Sequence, residues 1–462
     1  MEMESIVVNG IMATDYSRLP ENAVEATKKS VIDTLGTAVA GRKAKGCETI
    51  VQLLRGWGGK KEATVLTYNF KIPFPNAVFA NSVMSRALDL DEVHDEGTVH
   101  PSVAIIPASL GAAEFMQGIS GREFIAASAI GIDLICRMSL APKVGSCVSG
   151  MNFSYQCGTF GAAAAVGKIL GLSSDQMLNA LGIAYSQAAG NSQCYLDGSL
   201  TVRVQQGLSA KAGAMSAILA QRGITGAKNF FEGKFGYFNI YHRGDFEKSI
   251  LVDNFGEHFE GINVSQKPLY PCCKFTHAFI DAAKALANQH KITPDEIYRV
   301  KLEVTSSEVY NLVCDPMNIK QNPRTPVDAQ FSLPYVVALA LVKRDVALDD
   351  FSEETIKDHN VLKVARKVEI VFKPTEGRAV LPAPGIIEVQ TVGGKQFASK
   401  VDFVKGHPQN PNSLKDCIEK MKVLINYSGC RGARNNSEQI ADLLLNLEKL
   451  TDVCEIISLL NT

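Results

Sequence analysis

The chain has a single tryptophan, Trp57, and aromatic residues make up only 7% of its 462 residues. Base stacking on aromatic platforms is therefore a poor fit. Neither sign of charge prevails, since 47 Lys and Arg stand against 48 Asp and Glu for a formal charge of -1. That balance lacks the basic footprint of a nucleic-acid binder and the charge excess of a disordered chain. Long apolar runs are missing too. Phe160–Leu172 and Tyr335–Val342 are short or broken by lysine, well under the ~20 residues that cross a bilayer, so no membrane partner is expected. The start, Met1-Glu2-Met3-Glu4, is acidic and leads only to Ile6-Val7-Val8, unlike a secretory leader, and a cytoplasmic location is expected. The 11 cysteines are scattered without any C-x-x-C, which argues against a disulfide framework and a structural zinc site.

What remains is the composition of a globular protein: 46% hydrophobic, 21% charged, and long enough for two to four domains. The first half reads helical. In Glu21–Gly41, Val24, Val31, Leu35 and Val39 share a face and Gly41 marks the stop. Phe124–Leu140, Phe160–Leu172 and Ser209–Arg222 read the same way, and Ser173 with Gln176 forms a capping box for a helix through Ala188. The character changes near Lys267. Thr293-Pro294-Asp295-Glu296 is a turn and cap signal with proline at the first helical position. Tyr298–Val304, Val368–Phe372, Gly385–Val392 and Gln396–Val404 read as strands, the last two joined at Gly393-Gly394. Helices return at Ser413–Leu424 and Asn436–Leu450. The expected fold is mainly α with an α+β lid: a helical domain from residues 1–266 and 405–462, and an inserted α+β domain over 267–404.

Four stretches could carry chemistry. Asp89 to Ser102 packs five carboxylates with His94 and His100 and runs into the apolar Val103–Gly111. It reads either as a solvated, helix-capping loop or as a site at the edge of a buried helix. Asp89, Asp91, His94 and His100 could also offer ligands to a divalent ion, but the spacing matches neither H-E-x-x-H nor an EF-hand, and no metal is expected. Lys267 to His277 offers Cys273 and His277 as a thiolate–imidazole pair, with Lys274 lowering the thiol pKa; the alternative is that Cys272 and Cys273 pack as small apolar residues. Arg203 follows a glycine-bearing loop and precedes a helix, suited to holding a carboxylate or to a surface ion pair. Asn152 and Ser154 lie in a polar loop entering an alanine-rich helix, a weak anion-binding signal.

Five pieces in chain order resemble the MmgE/PrpD family. They are Ala87–Asp91 followed by Val99-His100-Pro101-Ser102; Cys157-Gly158-Thr159-Phe160-Gly161-Ala162-Ala163; Tyr270–His277; Asp328–Tyr335; and Lys405-Gly406-His407-Pro408. The resemblance implies a helical domain with a smaller α+β lid, a homodimer, no cofactor, and a small carboxylate as substrate. It implies acid–base roles for Asp89 and His100, with His94 in support. It places Cys273 and His277 on the lid side, and Asn152, Ser154, Arg203 and Lys274 as substrate-binding groups. Three ionisable groups of the family's decarboxylating members fall, by gapless matching, on Asn152, Val202 and Cys273. Asn and Val cannot replace a proton-transfer group or a cation. The expected activity is therefore a hydro-lyase acting on a hydroxy di- or tricarboxylate, with an epimerase or a non-catalytic carboxylate binder as alternatives.

Overall fold

A computed structural model describes residues 2–374 and 381–461. The protein is mainly α, with one four-stranded sheet and two two-stranded ones among the described residues. Helix Glu21–Gly41 ends where it crosses helix Phe74–Arg86 so tightly that a Cβ on Gly41 would lie 1.9 Å from the Met84 carbonyl oxygen. Helix Phe153–Ile169 starts seven residues before the apolar run, because Asn152 caps it: Oδ1 accepts the Tyr155 N–H at 3.2 Å. The Ser173/Gln176 capping box forms, but its helix stops at Tyr185, where the hydrogen bonds tighten to the i→i−3 pattern. The helix expected from Ser209 begins earlier, at Thr201, and runs to Gln221. The one expected over Asn436–Leu450 breaks after Leu445.

No helix follows Thr293-Pro294. The Glu296 carboxylate accepts the Thr293 N–H at 2.9 Å and its hydroxyl at 2.6 Å, and the turn opens straight into strand Ile297–Val304. That strand is central: it runs parallel to Val368–Phe372 and antiparallel to Gly385–Thr391, which pairs in turn with Gln396–Val401. Ile297, Val300, Leu302 and Val304 are buried from it, while helix His277–His290 packs on the neighbouring strands Gly385–Thr391 and Gln396–Val401 and helix Leu333–Lys343 on Val368–Phe372.

The buried hydrophobic residues fall mainly into two groups. One gathers residues between Met3 and Val264 together with Cys417 to Leu460; the other gathers residues between Cys194 and Val389. The chain passes between them along two adjacent strands of backbone. The Gln266 N–H donates to the Gly406 carbonyl at 2.9 Å, and a Cβ on Gly406 would sit 1.8 Å from the Gln266 oxygen. Gly406 also has φ +93°, so glycine is required there twice over. The segment between helices Phe74–Arg86 and Ser102–Met116 lies where the two groups meet. Its strand Val93–His94 pairs antiparallel with Val264–Ser265.

Candidate active site

Helix Phe74–Arg86 delivers Arg86 at its last turn, fully buried, and the backbone then turns sharply. Asp89 takes φ +54°, a left-handed conformation that aspartate tolerates better than most residues. The Arg86 Nη1 donates to Asp89 Oδ1 and, at 3.2 Å, to Asp91 Oδ1. From the other side the Lys267 ammonium, also fully buried, donates to Asp89 Oδ1 at 2.8 Å and to its carbonyl at 2.9 Å. Burial alone would push both carboxyls up, but Arg86, with His100 and Lys267, holds Asp89 and Asp91 below the ordinary carboxylate range. Both aspartates are therefore anions in a dry site.

His100 Nδ1 lies 2.7 Å from Asp91 Oδ2 and 2.8 Å from the Glu92 carbonyl. The Glu92 carbonyl takes the Nδ1 hydrogen bond, while Asp91 Oδ2, buried and without a hydrogen-bond partner, acts on the ring through its charge; the proton therefore sits on Nδ1 and Nε2 keeps its lone pair. Burial and the nearby Arg86 lower the imidazole's pKa against the pull of Asp91, so the ring is neutral at neutral pH. Its backbone N–H donates to Ser154 Oγ at 3.0 Å, which ties the loop to the capped start of helix Phe153–Ile169.

His100 faces a cavity of about 50 Å³, space for a few waters. Arg86, Asp89, Asn152 and Ser154 line it from one side, and Cys273, Lys274 and Phe331 from the other. Two donors on its wall lack partners: Arg86 Nε and Asn152 Nδ2, whose own Oδ1 is spent on the helix cap. Burial lowers the pKa of Lys274 against the pull of Asp95, whose Oδ2 lies 3.9 Å away. Beside it lies a hollow of about 460 Å³ that shares Cys147, Ser192 and Leu312 with the cavity, so the two adjoin at these three residues.

Asp89, His100, Asn152, Ser154, Cys273 and Lys274 thus share one cavity. The other expected residues lie elsewhere. His94 is buried on the far side of its strand, where Nδ1 accepts the Gly97 N–H at 3.0 Å and Nε2 lies 3.7 Å from Glu260. Arg203 lines a separate groove with Lys43 and Lys45, and its Nη1 donates to the Lys45 carbonyl at 2.9 Å. His277 is fully buried behind the cavity, its Nε2 3.0 Å from the Cys272 carbonyl rather than on a thiol, and burial drives its pKa well down. The expected activation of Cys273 by Lys274 is corrected: burial pushes the thiol up to about 12, beyond what Lys267 and Arg86 recover.

Arg86, Lys267 and Tyr195 were not singled out from sequence. Arg86 could have been found as the i,i+3 partner of Asp89 at a helix end, and Lys267 as a cation in a proline-flanked apolar segment. Nothing in the pattern marks Tyr195, which stacks obliquely on Phe331 at 4.8 Å. One ligand atom each from Asp89, Asp91 and His100 lie within 4.8 Å of one another, the sole such trio among the described residues. A metal ion there would compete with Arg86 and Lys267 for the same two carboxylates.

The MmgE/PrpD N-terminal domain model matches residues 8–249 and the MmgE/PrpD C-terminal domain model residues 270–447. Among curated relatives, a cis-aconitate decarboxylase of Aspergillus terreus is 27% identical over 97% of this chain and 94% of its own length. Those of Homo sapiens and Mus musculus are 26% and 24% identical, over 96% and 95% of this chain and 91% and 88% of their own.

Proposed function

Because this chain belongs to the MmgE/PrpD family, we propose that it is a lyase for a small di- or tricarboxylate, working without a cofactor by proton transfer at the carbon next to a carboxylate. The observation that carries this reading is the Asp91–His100 pair. It presents a neutral imidazole, proton fixed on Nδ1 and Nε2 left over, at a cavity whose unpartnered donors suit a carboxylate. Arg86 Nε and Asn152 Nδ2 hold one carboxylate, and Asp91 and Asp89 keep the site's charge fixed.

The favoured reaction is dehydration of a hydroxy acid. His100 Nε2 takes the proton from the carbon α to the carboxylate. The C–H electron pair becomes the carbon–carbon double bond as the C–O bond of the β-hydroxyl breaks. That oxygen leaves as water with a proton from Lys274, whose pKa burial has lowered. A tricarboxylate is larger than a cavity of about 50 Å³, so binding requires the site to widen, and Cys147, Ser192 and Leu312, shared with the outer hollow, are where it can do so. Decarboxylation is the second reading, favoured by the relatives' activity. There the electron pair of the breaking carbon–carboxylate bond is quenched at carbon by a proton from the same acid–base groups. We carry the homodimer and the cytoplasmic location as part of this proposal; sedimentation tests the former. No helix among the described residues is long and apolar enough to cross a membrane.

The test is proton NMR in deuterium oxide with hydroxy-, unsaturated and amino di- and tricarboxylates. Loss or gain of water establishes the dehydratase. Release of carbon dioxide moves the assignment to the decarboxylase, and deuterium wash-in alone to an epimerase. Binding without turnover across the panel overturns the enzyme reading.

A further inference from the structure

A buried ion pair outside the cavity grips the loop that carries the acid–base groups. Lys420, on helix Leu414–Ser428 near the C-terminus, is 8% exposed. Its ammonium donates to Asp33 Oδ1 at 2.6 Å and to the Leu90 carbonyl at 2.7 Å. Asp33, on helix Glu21–Gly41 and 2% exposed, accepts the Glu92 N–H on Oδ2 at 3.0 Å. The carbonyl before Asp91 and the amide after it are therefore both held by one pair, drawn from opposite ends of the chain. Neither Asp33 nor Lys420 lines the cavity.

A buried ion pair is a poor device for stability alone, because desolvating two charges offsets most of their attraction. It is a good device for fixing geometry, because its hydrogen bonds are short and directional. Here both leftover bonds go to the peptide units flanking Asp91, and Asp91 is the carboxylate whose Oδ2 lies 2.7 Å from His100 Nδ1 as its counter-charge. The Glu92 carbonyl, which takes the Nδ1 hydrogen bond, belongs to the same gripped stretch. We propose that Asp33 and Lys420 are positioning residues for the Asp91–His100 pair, setting the carboxylate against the imidazole from behind the cavity. The proposal rests on His100 being the base of the function above.

Two readouts test it. With the substrate the NMR panel identifies, Lys420→Met lowers kcat about 10- to 100-fold, leaves KM within about threefold, and Lys420→Arg recovers most of the loss. In protein labelled with 13C/15N-histidine, the His100 ring signals, assigned by their loss in His100→Ala, shift in Lys420→Met. An unchanged kcat with unmoved His100 signals, or a loss carried by KM alone, overturns the proposal. Should Lys420→Met fail to fold, Asp33→Asn removes the charge while keeping an acceptor, and the same two readouts apply. If no carboxylate is turned over by the wild-type protein, the functional reading falls, while the ring signals still decide the positioning role.

Discussion

The loop from Arg86 to His100 is largely buried and the segment from Tyr270 to His277 wholly so; both are rich in ionisable groups and lie on opposite sides of one cavity. Burial acts on them in opposite ways. In the loop, Arg86 and Lys267 lie within hydrogen-bond reach of Asp89, and His100 of Asp91, so the carboxylates stay charged in the dry interior. In the segment, Cys272, Cys273 and His277 have no strong counter-charge, so the thiols are pushed up and the imidazole down, all toward neutral forms. The difference teaches that reactive residue types and low exposure do not make a reactive site. What counts is whether each charge has a partner.

The largest effect that would break this contrast is on His100. His100→Ala should lower kcat at least about 100-fold on the identified substrate, the usual worth of a general base. Near-normal turnover by the folded variant would move the chemistry off the loop. Asp91→Asn comes next, at about 10- to 100-fold in kcat. It keeps the shape but removes the negative charge 2.7 Å from Nδ1. The pH profile sharpens both. Because burial and Arg86 lower the His100 pKa, the base form persists below the ordinary histidine value of 6.5. The rate should stay flat down to that pH and fall only beneath it. Asp91→Asn removes a contribution that raises the pKa, so its acid limb should move to still lower pH; a move upward would contradict the assigned pairing.

A smaller effect separates charge pairing from burial within the loop itself. Glu92 is fully buried beside Asp33 and receives only neutral donors, Ser30 Oγ at 2.6 Å and Gln266 Nε2 at 2.7 Å. Burial, then Asp33, raises its pKa from 4.5 to about 7. A raised folded pKa gives stability that is fully present below 4.5 and is lost as pH rises toward 7 and just above. Glu92→Gln, neutral at every pH, should lack that decline, and at pH 8 should be more stable than wild type by on the order of 1–3 kcal/mol. Parallel thermal unfolding at pH 5 and pH 8 measures it. An equal difference at both pH values would mean that Glu92 stays ionised.

The outline of the fold was legible because it rests on local patterns. Ser173 with Gln176, the 3.6-residue stripe of Glu21–Gly41, and alternation over Tyr298–Val304 each answer to interactions a few residues long. Where the reading failed, contacts just as short had a second possible outcome: Asn152 caps Tyr155 three residues on and starts its helix early, and the Thr293–Glu296 cap closes a turn that opens into a strand and not into a helix. The site was half legible because distant contacts complete it. Asp89 and His100 stood out as a dense polar loop, but Lys267 joins Asp89 across 178 positions, a pairing no local pattern contains. His94 and His277 look like catalytic residues in sequence; only their hydrogen bonds, to Gly97 and Cys272, show rings engaged by the backbone.

The smallest effect expected is at Cys273, and it tests the other half of the contrast. The residue lines the cavity beside Lys274, where a sequence reading makes it a nucleophile. Its thiol is pushed up to about 12, so only a minute fraction is thiolate at neutral pH. Its backbone N–H donates to the Gln330 carbonyl at 2.9 Å, a contact that fixes the segment without using the sulfur. Cys273→Ala should therefore keep kcat within about threefold of wild type, with KM changed only as far as the wall's shape changes. Alkylation of the native protein by iodoacetamide at pH 7, followed by peptide mass spectrometry, should find Cys273 slower than a free thiol. A loss of 100-fold in the alanine variant, together with rapid alkylation, would show a charged partner for the sulfur and erase the distinction between the two walls.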